Sequence, residues 1–365
     1  MRVNRLILRN FRNYVNINLE FTANINVFVG PNAQGKTNLL EALYLAAMGR
    51  SHRTNTEQEL IRWDQSAASV EVNFARQEVE NSLKIKLITN QNKEILYNSH
   101  PLPAKEIIGS LNAILFSPED LLLIKGAPAL RRRFLDNEIS QANPPYYRQL
   151  LNYNRMIHQR NNLLKKIREG KAGADLLEPW DNQLSAAAAI ITQKRTEAVK
   201  KLSMLANLHN RKITGNRESL TVSYAIHGLE QDKFGDLHNW YQDQLNRQRR
   251  QDILSGSTGI GPHRDDLNFF VNGKNLRNFG SQGQQRTGVL ALKLAELEFI
   301  KSETGEYPIL LLDDVMSELD SARRSELLLF IRERIQTFIT AADEQYFSQA
   351  KVGKFYRILN GTITE

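Results

Sequence analysis

The octapeptide Gly30-Pro31-Asn32-Ala33-Gln34-Gly35-Lys36-Thr37 fits G-x-x-x-x-G-K-[ST] at every required position. Nothing else in the 365 residues restricts the fold as much, because such a loop works only between a strand and a helix. Asn26-Val27-Phe28-Val29 supplies a strand-like run before it. After it, Leu39, Leu40, Leu43, Ala46 and Ala47 recur at three and four, which predicts an amphipathic helix over 37–48. The glycines let several N–H groups turn toward one anion, and the helix N-terminus adds its positive end. The expected ligand is ATP with Mg²⁺, with Lys36 on the β- and γ-phosphates and the Thr37 hydroxyl on the metal.

A second element completes that chemistry. Ile309-Leu310-Leu311-Leu312 is continuously apolar and ends in Asp313-Asp314, the pattern of a central parallel strand buried on both faces. Ligands of such sheets bind at the carboxyl ends of the strands. Asp313 is therefore expected to hold Mg²⁺ opposite Thr37, and Asp314 to orient or deprotonate the attacking water. Two solvated acids at a strand end are the plain alternative. Ser317-Glu318-Leu319-Asp320 follows and reads equally as a catalytic loop or as a helix cap at Asp320.

Around these motifs the period of the apolar residues changes twice. Short strand-like pieces and one helix fill the first third, including Leu6–Leu8, Ile17–Phe21, Val70–Phe74 and Leu83–Thr89. Helical patterning then dominates, with Tyr146–Arg168 and Leu184–Leu208 as the arms of a hairpin joined by Glu169-Gly170-Lys171-Ala172-Gly173. Alternation returns at Leu267, Phe269 and Val271 before the turn Asn272-Gly273. The expected organisation is α/β: an ATPase lobe from residues 1–116 and 255–365, with a mainly helical lobe, 117–254, inserted between them. No apolar run approaches the ~18 residues that span a bilayer, so no membrane role is expected. Met1-Arg2-Val3-Asn4-Arg5 opens a strand-like stretch rather than a signal peptide, and the absence of cysteine suits a reducing cytoplasm.

The net charge is +8 and it is unevenly spread. Between Asp120 and Lys171 there are 11 Lys/Arg against 4 Asp/Glu, interleaved with Tyr146, Tyr147 and Tyr153. Such a concentration suits a polyanionic partner, although a solvated helix face looks the same in sequence.

Ser281-Gln282-Gly283-Gln284-Gln285 precedes an amphipathic helix about thirty residues before Asp313. Locally it is a polar helix start. It also resembles the Ser-Gly-Gly-Gln signature of ABC-type ATPases, with Gln282 in place of the first Gly. The order of P-loop, signature, acidic strand and Ser-Glu-Leu-Asp loop is similar too.

At family level the chain resembles RecF, the bacterial recombination-repair relative of the SMC proteins. Leu8-Arg9-Asn10-Phe11-Arg12-Asn13-Tyr14, Phe116-Ser117-Pro118-Glu119-Asp120, Lys125-Gly126-Ala127-Pro128, Arg131-Arg132-Arg133-Phe134-Leu135-Asp136 and Gly261-Pro262-His263-Arg264-Asp265-Asp266 carry the likeness in order. The resemblance implies an ABC/SMC-like lobe and slow, DNA-stimulated ATP hydrolysis by Lys36, Asp314 and Ser281. It also implies an ATP-dependent homodimer, in which Ser281, Gly283 and Gln284 of one copy complete the nucleotide site of the other. Double-stranded and single-strand gapped DNA, RecR and RecO are the implied partners, and the implied location is the cytoplasm near the nucleoid. Arg131, Arg132, Arg133, Arg148 and Arg155 become the candidate DNA contacts.

Two departures from wider ABC ATPases stand out. Asp314 sits where a Glu is usual, and Thr340 sits where transporters often carry a switch His. His263 with Asp265 and Asp266 has no standard metal-ligand spacing, so a rigid turn with Arg264 in an ion pair or near the nucleotide is the expectation. Arg53 is a further candidate near phosphates. A small-molecule kinase would need neither the signature nor the basic lobe. A transporter subunit would lack that lobe, and a GTPase would carry Asn-Lys-x-Asp, which is absent.

Overall fold

A computed structural model describes residues 1–229, 235–347, 353–359 and 361–364. The chain divides into two compact units, Met1–Leu121 with Lys293–Glu365, and Leu122–Leu292.

The first unit carries two six-stranded sheets. One runs in the order Thr362–Thr364, Lys354–Leu359, Ile25–Val29, Thr337–Ala341, Ile309–Asp313, Ala113–Phe116. All neighbours are parallel except the first pair. Ile25–Val29 and Thr337–Ala341 are buried throughout, as central parallel strands are, and they carry Asn26, Thr337 and Thr340 into the interior with them. Register puts Leu312 beside Phe116, Asp313 beside Thr340 and Ala341 beside Val29. The ends of four parallel strands thus share one edge. The second sheet is antiparallel, in the order Tyr14–Glu20, Arg2–Phe11, Ala67–Arg76, Val79–Ile88, Glu94–Tyr97, His100–Pro101, and much of it alternates buried and exposed.

The helix after the P-loop, Lys36–Met48, differs from expectation. It is buried nearly all round rather than along one stripe, because it contacts strands of both sheets. Gly49 ends it in the left-handed region at φ 67, where its N–H reaches the carbonyl of Leu45.

The second unit holds four long helices, Pro128–Ala142, Pro144–Arg168, Glu178–Ile213 and Leu237–Ser255, beside a three-stranded antiparallel sheet. The helical hairpin is present. The expected boundary at 254/255 is not where the contacts divide: residues 255–292 pack with this unit. The cause is strand pairing. Asp266–Val271 lies antiparallel to Leu220–Ala225, from Asp266 opposite Ala225 to Val271 opposite Leu220. Pairing across an intervening helix leaves no mark on local periodicity. Among the described residues no helix is long and apolar enough to cross a membrane.

Candidate nucleotide site

Backbone geometry builds the loop. Gly35 stands at φ 107 and Ala33 at φ 64, so consecutive N–H groups turn inward. A Cβ on Gly30 would fall 2.3 Å from the carbonyl oxygen of Ile358, and one on Gly35 within 2.9 Å of the Tyr14 hydroxyl. Neither position tolerates a side chain. The loop is braced from outside: the Tyr14 hydroxyl donates to Gly35 O at 3.0 Å and Asn13 Nδ2 to Gln34 O at 3.1 Å. The Lys36 ammonium folds back to donate to the carbonyls of Gly30 and Pro31. Burial lowers the Lys36 pKa, opposed by the charges of Asp314 and Asp313.

The acidic strand delivers its carboxylates to this loop. Thr37 Oγ1 donates to Asp313 Oδ1 at 2.9 Å. Thr340 Oγ1 donates to the same oxygen at 2.7 Å and accepts the N–H of Asp314 at 2.9 Å. Asp314 is held at φ 53, and its buried Oδ1 has no hydrogen-bond partner among the described residues. Burial pushes the Asp314 carboxyl up, the nearby Asp313 and Glu318 push it further, and Lys36 opposes them. A hydroxyl and a carboxylate in contact, beside a second carboxylate with an unsatisfied oxygen, form a donor set that fits Mg²⁺ and a water. Asp320 caps the helix Ser321–Ile331, its side chain accepting the Arg323 N–H at 2.9 Å.

Several supporting residues escaped sequence reasoning. Glu41 is wholly buried on the P-loop helix. It accepts two bonds from Arg12, at 2.9 and 2.7 Å, and one from Ser51 at 2.5 Å. Burial alone would raise its pKa, but the Arg12 and Ser51 bonds and the Arg12 and Arg53 charges outweigh it and leave it lowered. Arg53 Nη1 also donates to Asn38 Oδ1 at 2.8 Å. The available signal was a Glu inside an otherwise apolar helix stretch, which must find a cation. Beside the loop lies a cavity of about 730 Å³ whose lining includes Arg12, Asn38, Arg53, Trp63 and Asp64; Trp63 is 91% exposed.

In the second unit, Ser281 and Gln284 cap the helix Gln282–Thr304 reciprocally. The Ser281 N–H donates to Gln284 Oε1 at 2.9 Å, and the Gln284 N–H to Ser281 Oγ at 3.2 Å. The Gln284 amide also donates to Glu218 Oε1 at 2.9 Å, and Gly283 lies in the first turn of this helix.

The arginine triplet requires correction. Arg131 is buried, with a bidentate pair to Asp266 at 2.7 and 2.8 Å and bonds to the carbonyls of Leu123 and Gly126. Arg132 donates to Asp265 O at 2.8 Å. Both serve the interior, because the loop at 265–266 needs its acceptors satisfied. Arg133, Arg148 and Arg155 are exposed.

His263 bonds the Tyr153 hydroxyl at 2.6 Å, and burial pushes its pKa down to about 4. Arg264 makes no acidic pair among the described residues but donates to Thr258 O at 2.8 Å. No cluster of metal-ligating side chains occurs among the described residues.

A family model described as RecF/RecN/SMC N terminal domain matches residues 2–363. The DNA replication and repair protein RecF of Halothermothrix orenii is 45% identical over 374 residues, covering 100% of this chain and 99% of that protein. RecF of Enterococcus faecalis is 44% identical over 93% of this chain and 92% of its own length. A solved structure of the recombination mediator protein RecF with ATPrS, in the RecFOR pathway, superposes with TM-score 0.92 at 36% identity, covering 99% of this chain and 97% of that one. An Smc head bound to the C-terminal winged-helix domain of ScpA superposes at 0.59 with 15% identity, covering 100% and 97% of the two chains, a likeness of fold alone.

Proposed function

Since this chain belongs to the RecF family of DNA replication and repair proteins, we propose that it is an ATP-operated switch that closes on DNA as a dimer and reopens on hydrolysis. The observation that carries the reading is the contact of Thr37 with Asp313 beside the partnerless Asp314 oxygen. Loop N–H groups and Lys36 would bind the phosphates, and Thr37 and Asp313 would hold Mg²⁺, which would supply charge neutralisation to the polyphosphate. Asp314, with its raised basicity, orients the water and accepts its proton. Asn38 bonds both Asn13 and Arg53, and these line the cavity in which the exposed Trp63 ring would offer a base a stacking face.

Ser281, Gly283 and Gln284 present a helix N-terminus that completes the site of a second copy. Hydrolysis is slow and DNA-stimulated, and RecO and RecR act with the closed dimer in placing recombinase on gapped DNA. A transporter subunit and a small-molecule kinase are disfavoured by the family match over residues 2–363.

Sedimentation with and without ATP tests the reading. The protein shifts to dimer with ATP, and Lys36→Met and Ser281→Arg stay monomeric. ATP-dependent dimers that survive both substitutions overturn the sandwich.

A further inference from the structure

The helix Pro144–Arg168 contains no Asp or Glu in 25 residues, yet carries Arg148, Arg155, Arg160, Lys165, Lys166 and Arg168. One cation is internal: Arg160 is fully buried between Asp181 and Asp252, at 2.7 Å from each. The buried face is completed by Tyr146, Tyr153 and Leu164.

The opposite surface has its own order. Arg148, Asn152, Arg155, Gln159, Asn162 and Lys166 follow at alternating steps of four and three, which aligns them in one stripe along the helix. All six are hydrogen-bond donors, none is acidic and none is apolar. Asn162 is half-buried and the other five are exposed. Among the described residues none of the six has a hydrogen-bond or ion-pair partner. Three arginines elsewhere in this unit are neutralised instead: Arg131 by Asp266, Arg195 by Asp136 and Arg249 by Asp181. At ~1.5 Å per residue the stripe is about 27 Å long, roughly eight base-pair steps of duplex at ~3.4 Å each.

We propose that this stripe is a phosphodiester-backbone track, on which a DNA strand lies with Arg148, Arg155 and Lys166 neutralising phosphates and the three amides donating between them. The inference rests on the DNA-switch reading above and assigns its surface. Charge complementarity selects the occupant: a polyanion with regularly spaced charges matches cations interleaved with neutral donors. A membrane-surface helix would need a free apolar face, and here that face is already buried.

The test is a salt series of binding to a labelled duplex and a single strand of equal length, with ATP, for the whole chain and the triple variant R148A/R155A/K166A. The variant loses at least about tenfold in affinity near 0.1 M salt, and its slope of log K against log[salt] flattens by about two to three units on duplex. On the single strand the same loss flattens the slope by about 0.7 per phosphate instead of about 0.9. R148K/R155K keeps the slope, which separates charge from folding.

An unchanged slope in the triple variant overturns the track while leaving the switch reading intact. No DNA binding by the unmodified chain overturns the switch reading and the track together. Retention on phosphatidylserine vesicles that the triple substitution abolishes, with DNA binding intact, assigns the stripe to a membrane and overturns the track.

Discussion

The phosphate loop and the arginine triplet at 131–133 are both short, conspicuous and cationic, yet the structure treats them oppositely. In the loop, identity follows from backbone space: Gly30 and Gly35 are required because a Cβ would strike Ile358 or Tyr14, and Lys36 donates to carbonyls only five and six residues away. In the triplet, nothing about three consecutive arginines says which face each takes. Arg131 turns inward to Asp266, 135 residues away in sequence, and Arg132 to Asp265 O, while Arg133 alone is exposed. Steric demands on the backbone are local and survive translation into sequence. Charge partners are chosen by tertiary neighbours.

The largest test of this contrast lies at the acidic strand. Asp314→Asn removes the proton acceptor but keeps the shape, so single-turnover hydrolysis falls by about 10³ while ATP affinity holds within a few fold. Undiminished hydrolysis would show that Asp314 is only a bystander of the loop.

At the triplet the expected loss is one of stability instead. Arg131→Met strands Asp266 and costs about 3–5 kcal/mol in urea unfolding, with the salt slope of DNA binding unchanged. A flattened slope at normal stability would restore Arg131 to the surface and erase the contrast.

A pH series asks whether the polar interior beside the triplet behaves as a satisfied network. His263 has its pKa depressed to about 4 in the folded chain against an ordinary value near ~6.5. The unfolded chain therefore takes up a proton first as pH falls. Its contribution is fully present above ~6.5 and is lost progressively toward 4, by at most about 3 kcal/mol. The difference in stability between the protein and His263→Gln should shrink over that window, and a pH-independent difference would contradict the buried neutral imidazole.

The smallest effect belongs to Thr340, which bonds both acidic residues. Thr340→Val is isosteric and should reduce turnover about tenfold and raise the Mg²⁺ requirement, and Thr340→Ser should restore both. If valine leaves the Mg²⁺ requirement unchanged, Thr340 does not position the carboxylates.

What the sequence determined by itself was the set of features that depend on neighbours a few residues away. The P-loop, its strand and helix, the apolar strand ending at Asp313-Asp314 and the hairpin helices all depend on backbone sterics or helical period. Tertiary structure alone decided the rest. It placed Thr340 against Asp313 through parallel strand register, fed Glu41 from Arg12 and Ser51, joined residues 255–292 to the helical unit through Asp266–Val271, and sorted the basic segment into buried Arg131 and Arg160 and the free stripe from Arg148 to Lys166. The physical reason is one of range. A backbone conformation is selected by atoms a few bonds away, whereas a buried charge is selected by whichever opposite charge the fold brings within hydrogen-bond reach.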